Sequence, residues 1–151
     1  MTFTGTNSSS DVGFRYGNPA FDCNGALLRA HCRQLATVVT VTGVIDSVNV
    51  ERISEYVRRF ILAEKPFILD LSGVNSLCNQ SISLLYSVDE DCFTAGVEWS
   101  LIAGQPVIDV LRACGAQDDF ALAGSVPEAL HHFSDAITAR RKLLPLLTKT
   151  A

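Results

Sequence analysis

Long apolar runs are missing from this chain. None approaches the roughly 18 residues that a membrane-crossing helix needs. The opening stretch MTFTGTNSSSD has neither the basic start nor the apolar centre of a secretory signal, so a cytoplasmic protein is expected. Concentrated positive charge is missing too. The 12 basic residues are scattered, net charge is −4, and nothing forms a nucleic-acid footprint. Arg140-Arg141-Lys142 reads as a solvated helix face. No two of Cys23, Cys32, Cys78, Cys92 and Cys114 form a C-x-x-C pair, and His31, His131 and His132 do not supply zinc-ligand spacing. An odd cysteine number without an export signal points to reduced thiols, most of them small core residues. There is no glycine-rich phosphate loop and no internal repeat. Asp89-Glu90-Asp91 diverge around a helix axis, and the adjacent His131 and His132 cannot both face one site. These absences place an enzyme well behind a binding module, and no residue points to a cofactor or a metal.

What is present suits one globular domain: 151 residues, 48% hydrophobic and 19% charged. A chain of about this length buries roughly 68–70% of its unfolded surface. Residues 1–20, rich in Thr, Ser and Gly, read as an unstructured leader. The sharper alternative is a phosphoacceptor cluster, Thr2 included, for a Ser/Thr protein kinase, though no basic or proline-directed consensus accompanies it. The folded domain is expected over residues 21–144, with a short C-terminal tail over 145–151.

Asn24-Gly25 signals a turn. Ala26–Arg33 and Leu35–Ile45 follow as a hairpin, the second strand marked by alternating valines and threonines. Asn49–Ala63 carries a helical stripe of Val50, Ile53, Val57, Phe60 and Ile61. Phe67-Ile68-Leu69 begins a doubly buried strand that ends in Asp70-Leu71, with Ser72-Gly73 breaking it. Small and polar residues lead through Cys78-Asn79-Gln80-Ser81 into a helix marked by Ile82, Leu85, Val88 and Cys92, and Ala95-Gly96 stops it. Val97–Ala103 is the next strand, Gly104-Gln105-Pro106 opens a helix closed by Gly115, and Phe120–Ala123 is a short last strand. Ser125-Val126-Pro127-Glu128 is a capping box for a final helix that Pro145 should end or kink. The order ββαβαβαβα implies an α/β domain, a mixed and mostly parallel sheet of about five strands with helices packed on it.

Asp70-Leu71-Ser72-Gly73-Val74 and Val41-Thr42-Gly43-Val44-Ile45-Asp46 resemble two motifs of STAS domains, the fold of bacterial anti-sigma-factor antagonists. The first resembles that family's D-L-S-x-V, the second its L-x-G-x-L-D. The strand–helix order matches as well, over roughly Ala26 to Phe133. The family's D-S-S-G-L turn is altered: Cys78-Asn79-Gln80-Ser81-Ile82 stands there. In the family the first serine of that turn is phosphorylated by a kinase-like anti-sigma partner. Its place is held by Asn79, which cannot be phosphorylated.

The resemblance implies a module that docks on a serine-kinase-type anti-sigma factor and so releases a sigma factor for transcription, here without the usual switch. It implies a partner surface of Asp46, Ser47, Asn49, Cys78, Asn79, Gln80 and Ser81. Asp46 can equally be a helix cap, and the two roles are compatible. Ser81 remains as a substitute phosphoacceptor, expected not to be used. Cys78, at a helix N-terminus, is a redox candidate; a buried thiol in place of the family's aspartate is the plainer reading and the favoured one. The alternative function is a STAS-type binding or sensor module for another protein or a small ligand.

Overall fold

The first tight reversal falls at Asn24-Gly25, where both residues take positive φ, 45° and 103°. Glycine, and to a lesser degree asparagine, enters that region without a large steric penalty. In the computed structural model, which describes residues 20–150 and side chains as far as Arg141, this turn joins β1 (Phe21–Cys23) to β2 (Ala26–Cys32). β2 returns as β3 (Thr37–Ile45), pairing Leu28 with Val41 and Ala30 with Val39. All four are buried, while Leu27 and Arg29 stand on the other face, the period-two pattern of a strand. The expected hairpin is present, and β1 adds a strand to it. Three residues are too few for alternation to announce a strand.

The chain continues through α1 (Val50–Arg59), β4 (Phe67–Leu77), a 3-10 turn (Asn79–Ile82), α2 (Ser83–Ala95), β5 (Trp99–Ala103), α3 (Gln105–Ala113), β6 (Leu122–Ala123) and α4 (Val126–Thr150). One six-stranded sheet results, in the order β1-β2-β3-β4-β5-β6. β1 to β3 are antiparallel, and β3 to β6 run parallel. A parallel neighbour needs a crossover, and the helices between these strands provide it.

Two apolar clusters flank the sheet. Val39, Val41, Leu69, Leu71 and Leu101 face α1, α2 and α3, which contribute Ile53, Val57, Leu85, Val88, Val107 and Leu111. Ala36, Val38, Ile68 and Ile102 face the other way, onto Ala129 and Phe133 of α4. The continuous run Phe67-Ile68-Leu69 is therefore buried on both sides, as a central parallel strand requires.

Several boundaries differ from expectation. β4 does not end at Leu71. It passes through Ser72-Gly73 and pairs with β3 as far as Ile45↔Leu77, absorbing register shifts between Thr40 and Thr42 and between Gly43 and Val44. A bulge accommodates extra residues without ending the ladder. α1 stops at Arg59, and Tyr56 is buried beside the stripe, stacked on Phe21 at 5.4 Å. β5 and β6 begin two residues later than expected. Ser125 Oγ accepts from the Glu128 N–H at 3.2 Å, but the Glu128 carboxylate reaches the Gly124 N–H (3.0 Å) rather than that of Ser125. α4 does not end at Pro145; it runs to Thr150. Proline's fixed φ is compatible with a helix, so the ladder loses a bond and the turn persists.

Candidate functional site

The two motifs meet at the carboxyl ends of β3 and β4. Gly73 allows the approach, since a Cβ there would lie 2.7 Å from Thr42 Cγ2. Asp70 fixes the same bend. Its carboxylate accepts from the Ser72 N–H (3.0 Å) and hydroxyl (2.7 Å), a local turn of the kind Asp favours. Past it, Ile45 pairs with Leu77 and its carbonyl accepts from the Cys78 N–H at 3.0 Å. The residues that follow each strand, Asp46 and Cys78-Asn79, thus emerge side by side.

On the β3 side, Asp46 is half-buried. Its carboxylate accepts from the N–H groups of Val48 (3.0 Å) and Asn49 (3.3 Å), and its carbonyl accepts from the Val50 N–H at 3.0 Å. Asp46 closes the turn that launches α1, which is the capping role in slightly displaced form. Ser47 and Val48 are left exposed, Val48 by 70%. Asn49 is a correction. It is fully buried. Its amide donates to the carbonyls of Val44 (2.8 Å), Cys23 (3.0 Å) and Asn24 (3.1 Å), and its Oδ1 accepts from the Asp46 N–H (3.0 Å). An amide in a polar loop reads as surface, yet this one holds three chain segments together and offers a partner nothing.

On the β4 side, Asn79 and Gln80 are exposed and Cys78 is half-buried. Their amides can donate and accept. Ser81 is the second correction. It is buried, its N–H donates to the Cys78 carbonyl (2.8 Å), and its hydroxyl has no partner among the described residues. A side chain so enclosed is neither a contact residue nor a kinase substrate in this conformation. Cys78 also stands apart from the α2 N-terminus, because the 3-10 turn separates it from Ser83. The dipole argument for a thiolate weakens with that spacing. All five cysteines are free. Only Cys23 and Cys92 are buried, so fewer thiols are core residues than expected. Burial pushes the Cys92 thiol up to about 12, and Asp91 and Asp89 reinforce the shift. Thr2 lies outside the described residues.

Val48 and Val44 were not singled out from the sequence. Both are exposed apolar residues flanking Asp46, and both lie off the α1 stripe, which was the only signal available. A groove of about 280 Å³ extends from this corner between α1 and α2, lined by Val50, Ser54, Arg58, Ser83 and Ser87 among others. The corner therefore carries two neutral amides, one fixed carboxylate and an apolar knob, with no phosphorylatable side chain exposed at the turn's first serine position.

A model of the STAS domain matches residues 28–129. The chain belongs to the STAS domain family. That span covers both motifs and the altered turn. The chain is 46% identical over 155 residues to Osmosensory protein A of Mycobacterium tuberculosis, covering 99% of this chain and 98% of that protein. Two solved structures have the same fold at low identity. One is an anti-sigma factor antagonist from Mycobacterium paratuberculosis, with TM-score 0.65, 19% identity and coverage of 72% of this chain and 94% of that one. The other is the anti-sigma factor antagonist SpoIIAA in its unphosphorylated form, with TM-score 0.59, 14% identity and coverage of 72% and 96%. The α/β architecture expected from the STAS resemblance is the one observed, with six strands in place of about five.

Proposed function

We propose that this STAS domain is an anti-sigma-factor antagonist that docks on a kinase-type anti-sigma factor through the corner of Asp46-Ser47-Val48 and Cys78-Asn79-Gln80. Docking frees a sigma factor for transcription. The observation that carries this reading is the adjacency of the two motif ends, locked by the Cys78 N–H to Ile45 carbonyl bond. Exposed Asn79 and Gln80 keep a polar contact surface there. A phosphate would add roughly −1.5 to −2 charges at a close-fitting surface, and Asn79 withholds that switch. The name of the M. tuberculosis relative, Osmosensory protein A, supports osmotic stress as the input.

The test is capture of the host's purified kinase-type anti-sigma factors by the full chain. Binding of at least one is expected, and Asp46→Lys weakens it. With ATP supplied, phosphopeptide mapping finds no phosphate over Asn79–Ser81, whereas Asn79→Ser acquires one and then releases the partner. Failure to bind any such factor refutes the proposal and leaves the alternative, a STAS module for another partner or ligand.

A further inference from the structure

The chain's charge is divided along its length. Four of its 12 basic residues, Arg140, Arg141, Lys142 and Lys149, lie in residues 140–149, and none of its 16 acidic residues does. That segment carries +4 and the 139 residues before it carry −8. It also holds Leu143, Leu144, Leu146 and Leu147. It is thus a cationic, leucine-rich stretch, and it forms the end of α4.

A surface of the opposite character lies on the other layer. Phe93, on α2, is 85% exposed. It borders a groove of about 340 Å³ shared with Asp89, Glu90, Val97, Glu98 and Trp99. The Trp99 indole N–H donates to the Asp89 carboxylate at 2.9 Å, and the ring packs edge-on to Phe120 at 5.9 Å, so the aromatic wall is held in place. An exposed phenylalanine beside a fixed indole, rimmed by three carboxylates, suits an apolar helix end carrying Lys and Arg. It does not suit a second identical acidic patch, because like charges facing each other oppose association.

We propose that this groove receives the α4 end beyond Arg140, residues 141–149, of a second copy of the chain, in a reciprocal two-fold dimer. Arg140 Nη2 lies 3.7 Å from Glu98 Oε2, so α4 leaves the sheet beside the rim of the groove. Its remaining residues from Arg141 to Thr150 reach about 15 Å further at helical rise. α4 packs on the sheet face opposite α2 and stays helical to Thr150. An unbroken helix held on that face has no turn by which to cross to the α2 layer of its own chain. Groove and helix end adjoin on every copy, so one two-fold axis satisfies both contacts at once. Of Arg140-Arg141-Lys142, read from sequence as a solvated face, Arg140 pairs with its own chain's Glu98, and Arg141 and Lys142 become interface elements. The proposal is independent of the docking corner, which lies at the opposite ends of the parallel strands.

The experiment is sedimentation of the full chain across a concentration series at low and high salt, with emission from Trp99, the chain's one tryptophan, as a reporter inside the groove. A dimer is expected, weakened by salt, with emission that changes on dilution. Phe93→Asp, at a site exposed enough to keep the fold, should raise the dissociation constant at least about tenfold. The double variant Leu143→Glu/Leu147→Glu should do the same from the other half. An equimolar mixture of the two variants should recover part of the association that neither shows alone. Glu90→Lys provides a second, milder change in the groove and should weaken the dimer and flatten its salt dependence. A monomer at every concentration overturns the proposal. So does a dimer indifferent to the leucine variant, which would assign the groove another occupant.

Discussion

Asn49 and Asp46 lie three residues apart in one turn, yet they answer different demands. Asn49 is sealed in and satisfies three carbonyls from β1, the β1–β2 turn and β3. Asn49→Ala leaves those acceptors buried and short of donors, at a cost of about 3 kcal/mol. Asp46 is half-exposed, and losing its two turn bonds costs about 1 kcal/mol. Urea unfolding should rank the variants in that order. Asp46→Lys should stay folded while weakening the proposed docking; an unfolded Asp46→Lys would reduce that residue to its capping role. Cys92 makes a separate prediction. Its thiol is held near 12 by burial, against about 8.5 for a free cysteine. The folded chain keeps this proton where the unfolded chain has released it. Stability contributed by the neutral thiol is therefore complete below about pH 8.5 and declines as pH rises towards 12. Cys92→Ala should flatten that alkaline decline, as read from unfolding midpoints between about pH 8 and 11. A decline of unchanged slope would assign it to other groups.

At the scale of elements, β3 shows what patterning reveals and what it hides. The alternation in Leu35–Ile45 located the strand within two residues, because a half-buried strand must place its valines on one side. Helix punctuation was equally readable: Gly96 adopts φ 72° after α2, and Gly104 with Pro106 opens α3. The bulges within β4 were not readable. Ser72-Gly73 carries the same composition whether a strand ends or bends, and only the partner strand decides. Asn49 and Ser81 were misplaced for a related reason. Polarity marks a loop, but enclosure depends on what packs over it. Gly43 tests the β3 bend directly. Its φ is 98°, and a Cβ there would run into the Gly25 carbonyl oxygen. Backbone cannot yield as a flexible side chain does, so Gly43→Ala should destabilise by about 3 kcal/mol or more. The Ala variant should also disturb the corner, since Val44 and Asp46 follow immediately. A thermal midpoint unchanged from the parent would show that the bend can relax.

For the whole molecule, the two faces of the sheet divide the work. Three helices and most of the large buried side chains occupy one face, and the proposed docking corner lies at the strand ends. Among the described residues the other face is covered by α4, through a small cluster centred on Ala129 and Phe133. The smaller cluster has less apolar area to lose, so it should open first. Phe133→Ala removes the largest side chain α4 contributes to it, at a cost of about 3–4 kcal/mol if the site does not collapse. Hydrogen exchange should then quicken in the α4 amides ahead of those in β3 and β4. Asp46, Asn79 and the Cys78 to Ile45 bond lie outside that cluster. Capture of the proposed anti-sigma partner by Phe133→Ala should therefore persist at temperatures where the sheet stays protected. If capture failed while β3 and β4 kept their protection, α4 would belong to the docking surface, and the division between the two faces would be wrong.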